Sequence, residues 1–119
     1  MVPDADDLLA QQLLQLRREY LADSVKRVEE LRALQAALAG DQQTVLVRLR
    51  QAFHKLAGSG GSYGFPAVSS RSREGEAMIQ RLESAAVPLT DADRAAIEAC
   101  VTSIDRAFAD ARSSMEASQ

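Results

Sequence analysis

The chain has 119 residues, a formal net charge of −3 and one cysteine, with 46% apolar, 26% charged and only 4% aromatic residues. This length fits one domain that buries a core without staples. The lone Cys100 excludes an internal disulfide and a cysteine-rich metal site, and the interspersed acidic excess lacks the basic field that nucleic-acid binding demands.

The residues from Asp4 to Ala39 include no Gly or Pro and are dominated by Leu, Ala, Gln, Glu and Arg, which is strong helix composition. Pro3 suits the start of this segment and Gly40 its end. Leu9, Leu13, Leu16 and Tyr20 fall on one helical face, whereas Leu21, Val25, Val28, Leu31 and Leu38 continue it with a shifted phase. The shift predicts a break near Asp23-Ser24, with a short first helix and a longer second. Asp41 caps a third helix whose buried stripe is Val45, Leu49, Phe53 and Leu56, with Leu46 and Ala52 alongside. That helix is expected to end between Gly58 and Gly61. Pro66 suits the first turn of a fourth helix with Val68, Ser72, Gly75, Ile79 and Leu82 inward, closed by residues 85–88, AAVP.

Thr90, with Asp93 three residues on, resembles a capping box. The fifth helix carries Ile97, Val101, Ile104, Phe108, Ala111 and Met115 at clean three-and-four spacing, and SSMEASQ is expected as a frayed end. Cys100 reads as a half-buried structural thiol, and Met78 and Met115 as fillers at the core or its edge. Nothing reads as a strand. Short connections between such helices make antiparallel neighbours. The expected fold is all-α: an antiparallel up-and-down four-helix bundle with an additional N-terminal helix, a single domain over residues 1–119. No apolar run approaches the roughly 18–20 residues of a membrane span. The acidic start MVPDADDLLAQQ is unlike a signal peptide, so a cytoplasmic setting is expected.

The stretch FHKLAGSGGSYGF, residues 53–65, holds the one histidine and four of the six glycines. With Phe53 facing the core, His54 is rotated about 100° away, toward the edge or surface. Its face includes Val47, Arg50, Gln51, Ala57, Gly58 and Gly61. Ala57 and Gly58 leave space beside the ring, and a helical Gly58 costs roughly 1 kcal/mol relative to Ala, which asks for a packing or access reason. Spacing alone also admits a surface histidine followed by a glycine cap and loop. One imidazole offers no pair for a metal site, and the nearby serines have no base placed by motif.

The order of residues goes further. His54-x-Leu56-x-Gly58-Ser59, followed by Tyr63-Gly64-Phe65, resembles the signature of histidine phosphotransfer (HPt) domains of bacterial two-component signalling. The GSYGF segment is similar to the phosphotransfer domains of chemotaxis histidine kinases, and the resemblance covers about residues 5–115. It implies that His54 is the phosphorylated nucleophile, supported by Gly58 and Ser59. It also implies that Glu76, 22 residues on, accepts a hydrogen bond from Nδ1 and presents Nε2; the pair Arg73 and Glu76 reads equally as a solvated i,i+3 charge pair. The chain departs from the family where a lysine usually follows the histidine by three residues, since Ala57 stands there. Arg50 and Arg73 are the candidates for the missing charge, because Lys55 points about 100° away.

The implied partners are a response-regulator receiver domain or a hybrid histidine kinase, meeting Val47, Lys55, Ala57, Tyr63 and Gly64. Phe65 and Val68 read instead as hairpin packing. The implied role is a phosphorelay intermediate that takes a phosphoryl group from a receiver aspartate and passes it to another receiver. It needs no cofactor of its own, Mg²⁺ being expected on the receiver, and no autonomous kinase or phosphatase activity. A monomer is expected. The alternative is a helical module that is not phosphorylated and regulates a kinase or receiver by binding.

Overall fold

The computed structural model describes residues 4–117. It contains α1 (Ala5–Ala22), α2 (Ser24–Ala36), a 3₁₀ turn (Ala37–Ala39), α3 (Gln42–Ser62), α4 (Pro66–Ala85) and α5 (Asp91–Ala117). Helices α2 to α5 form the antiparallel bundle, with α2 closing the ring against α5 through Arg32 to Asp105 (3.3 Å) and Arg112 to Ser24 Oγ (2.6 Å). Helices of 20 residues are about 30 Å long. The molecule measures 64 × 22 × 19 Å, so α1 projects well past the end of the bundle.

The core is aliphatic around two phenylalanines. Phe53 and Phe108 are fully buried with Leu31, Leu46, Leu49, Ile79, Ile97 and Ile104. Each such side chain contributes about 1.5–3 kcal/mol by leaving water. The helix starts are satisfied by the expected residues. Asp41 accepts from the Thr44 amide and hydroxyl, and Thr90 and Asp93 exchange reciprocal bonds of 2.9 and 3.0 Å. Caps of this kind are worth about 1 kcal/mol each. Asp4 caps α1 by accepting from the Asp7 amide, and Pro66 occupies the first turn of α4; Pro3 lies outside the described residues.

Four expectations about the helices are corrected. The break at Asp23 is present, but α1 is the longer of the first two helices, with 18 residues against 13. Leu9, Leu13 and Leu16 are 62%, 50% and 48% exposed, because α1 runs beyond the α3–α4 turn and only Tyr20 and Leu21 of this helix are buried. Val25 likewise faces outward. Residues 113–117 of the expected frayed end are helical, since α5 continues to Ala117, and Ser118 and Gln119 lie outside the described residues.

The fourth correction concerns the glycines. Helix α3 does not stop among them but runs through Gly58, Gly60 and Gly61 to Ser62. A Cβ on Gly60 would lie 2.9 Å from Val68 Cγ1 and 3.0 Å from the Ser69 nitrogen, so this glycine lets α4 press against α3. Gly64 alone makes the turn, at φ +84°. The Phe65 amide bonds to the Gly60 carbonyl (2.7 Å) and the Gly64 amide to that of Gly61 (3.1 Å), a Schellman closure. Midway along α4, Gly75 makes room for Phe53 and Cys100.

Burial, and next the charge of Glu74, push the Cys100 thiol up to about 11, with Arg71 working against them. Two units above its ordinary value leave about one hundredth of the thiolate. Iodoacetamide at pH 8 should therefore alkylate Cys100 tens of times more slowly in the folded chain than in urea. Equal rates would show that the thiol is open. Among the described residues, no helix is long and apolar enough to cross a membrane.

Candidate functional site

The α3–α4 hairpin sets the register of the site. Ser69 Oγ donates to the buried Ala57 carbonyl (2.7 Å), and the glycine contacts hold the two helices close below it. One turn further along α3, this register brings His54 opposite Glu76. Nδ1 lies 2.9 Å from Glu76 Oε1. The imidazole is 74% exposed and the carboxylate only 21%, so the ring is held by a recessed anchor while its other edge faces solvent. A carboxylate only accepts, so Nδ1–H donates and neutral His54 keeps its lone pair on the outward Nε2.

Space beside the ring is real. A Cβ built on Gly58 meets nothing within 4 Å, so no packing requires glycine there. Ala57 is different. It is only 5% exposed and its carbonyl is taken by Ser69, so it lines the hairpin seam and presents little to a partner, a correction to its expected docking role.

The charges sort differently from expectation too. Arg50 Nε is 2.7 Å from Glu83 Oε1, so its charge is already matched, and Arg50 is corrected as the stand-in for the family's lysine. Glu83 escaped the sequence reading, although a signal existed. In an antiparallel hairpin that pairs 54 with 76, the residue one turn before His54 falls opposite position 80, and Glu83 lies one further turn along α4, within reach of a long arginine side chain. Arg73 is exposed, lines a depression with Gly61 and Ser69, and has no ion-pair partner among the described residues. Gly58 and Gly61 follow His54 on one face of α3, so Arg73 stands along that face from the ring. Glu76 bonds to His54 rather than pairing with Arg73. Lys55 is exposed and shares an open depression with Arg50, Gln51, His54 and Glu76.

The remaining candidates are anchors for α1. The Ser59 hydroxyl bonds to that of Tyr20 (2.7 Å), facing away from His54, which corrects its supporting role. Tyr63 stacks on Tyr20 at 4.6 Å, and Arg17 Nε donates to the Tyr63 carbonyl while its guanidinium covers Phe65. Tyr63 and Gly64 thus serve the turn and the α1 contact rather than a docking face near His54. Phe65 and Val68 are buried in hairpin packing, as expected. Val47 remains half-buried on the His54 face. The α1 anchors Tyr20 and Arg17 were beyond sequence reading, because they depend on where α1 crosses the turn.

The sequence profile of the Hpt domain matches residues 8–107. The chain belongs to the Hpt domain family. No curated protein and no solved structure matches it. Membership gives this Hpt domain a histidine phosphotransfer role in phosphorelays, where such domains work with receiver domains and kinases.

Proposed function

We propose that His54 is the phosphoryl acceptor of this Hpt domain, and that it relays the group between receiver domains or from a hybrid histidine kinase. The observation that carries this reading is the hydrogen bond from His54 Nδ1 to recessed Glu76, which leaves Nε2 bare beside open space at Gly58. Nε2 attacks the phosphorus of an aspartyl phosphate; the P–N bond forms as the P–O bond breaks, and the receiver recovers its carboxylate. Such transfer is positioning and charge neutralisation more than covalent chemistry. The receiver brings Mg²⁺ and its acidic pocket, and this chain contributes Arg73 and Lys55 as positive charges around the phosphoryl oxygens. The exposed His54 and Lys55, with half-buried Val47 beside them, form the docking face. The setting is cytoplasmic.

Incubation with a panel of phosphorylated receivers and hybrid kinases tests the reading. Labelling that is acid-labile and base-stable supports it. Tight binding without any labelling would favour the interaction module instead. Loss of one charge-assisted hydrogen bond costs about 1.5–3 kcal/mol. Glu76→Ala should therefore slow transfer roughly ten- to hundredfold with the helical circular dichroism unchanged. Glu76→Gln keeps an acceptor for Nδ1–H and should recover part of the rate. A Glu76→Ala variant as fast as wild type would remove Glu76 from the site.

A further inference from the structure

We propose that Gln51 is a phosphoryl-binding residue of this Hpt domain, its side-chain amide donating to an oxygen of the group carried on His54 Nε2. This role presupposes His54 as the acceptor and adds a residue to the same site. Arg50, Gln51, His54, Lys55 and Glu76 line one open depression, whereas Arg73 lines a different one beside Gly61. Within the first, Glu76 is engaged by His54 Nδ1, and Arg50 is drawn away toward Glu83. Gln51 and Lys55 are exposed, and neither has a hydrogen bond or ion pair with another described residue. Their donors are uncommitted.

Helix geometry puts Gln51 on the right side of the ring. Side chains of an α-helix tilt toward its N-terminus, so each covers the turn before its own Cα. For His54 that turn holds Val47, Arg50 and Gln51. Gln51 is three residues back, a spacing at which side chains on a helix meet. Glu76 holds Nδ1 from the α4 flank. Gln51 stands on the opposite flank, where it also lines a groove with Arg27, Glu30 and Leu31 of α2. An amide there reaches the outward Nε2 edge without displacing Glu76. A carboxamide brings two N–H donors and no charge. The phosphoryl oxygens are close to dianionic near neutral pH, and hydrogen bonds to an ionised acceptor are about twice as strong as neutral ones. Gly58 leaves the following turn open, so on α3 itself the donors come from the preceding one.

Phosphoramidate, a small donor that needs no docking face, tests the role. Attack by Nε2 forms one P–N bond as the P–N bond to departing ammonia breaks. Gln51→Ala removes no protein contact and keeps a helix former, so circular dichroism and the thermal midpoint should match wild type. Its labelling should slow roughly tenfold, the loss of one hydrogen bond to a charged oxygen. In phosphorus NMR of the labelled chain, the phosphoryl group should take up its proton at a pH roughly half a unit higher, because a donor to its dianion has gone. Gln51→Glu keeps the shape, sets a carboxylate beside the dianion and should raise that pH further. A Gln51→Ala chain with wild-type rate and titration overturns the proposal and leaves His54 as the acceptor. Slowing confined to phosphorylated receivers overturns it too, since Gln51 would then serve docking. A wild-type chain that takes no label from phosphoramidate or from phosphorylated receivers overturns the acceptor reading and this role with it.

Discussion

Replacing His54 by Gln is expected to abolish phosphoryl labelling outright while leaving the fold intact. The two halves of that result have separate causes. The imidazole is 74% exposed and its one hydrogen bond is to Glu76, so the substitution removes no core contact. A surface change of this kind stays within about 0.5 kcal/mol, and the thermal midpoint should move by no more than a few degrees. The chemistry, by contrast, has nothing to fall back on. Glutamine reproduces the size and a donor but carries an amide nitrogen, whose lone pair is delocalised and does not attack phosphorus. The chain has no second histidine to take over. Labelling of the variant at the wild-type level would sink the assignment.

The second large effect is on stability and separates two glycines two positions apart. Gly60→Val should lower stability by about 3 kcal/mol, the upper part of the usual range for overpacking. In a chain of this size the midpoint falls by roughly 10 °C. The added carbons meet the buried Val68 side chain and the Ser69 backbone, and backbone cannot rotate aside. Gly58→Ala should do the reverse, since its Cβ meets open space and helix propensity gains about 0.5–1 kcal/mol. If the gap beside His54 receives the phosphoryl group, this more stable variant transfers more slowly. Parallel melts of the two variants check the contrast; equal destabilisation would mean that the hairpin seam is not where these contacts place it.

Much of this was legible in the residue order. The stripes of α3, α4 and α5, the capping box at Thr90 and the break at Asp23 all follow from local spacing and cap chemistry, which act within a few residues. The pairing of His54 with Glu76 came from family resemblance, since only the hairpin register brings residues 22 apart together. What escaped was decided between helices. Glycine composition suggested a loop at 58–61, yet Gly60 is helical because a neighbouring helix needs the room. The α1 leucines have a core pattern, but a pattern cannot say whether anything lies opposite. Arg50 looked free until Glu83 was found facing it.

The close seam of α3 and α4 constrains which sequences this site can accept. Small residues at 57, 60 and 61 draw the helices together, and Ala57 is sealed at 5% exposure with its carbonyl committed. A lysine grafted there would have to thread its stem out of a closed joint. On the proposed reading, the cation that position 57 cannot hold comes instead from Arg73 on the neighbouring helix. Related sequences should exchange the two together, an alanine at the first position travelling with a basic residue at the second.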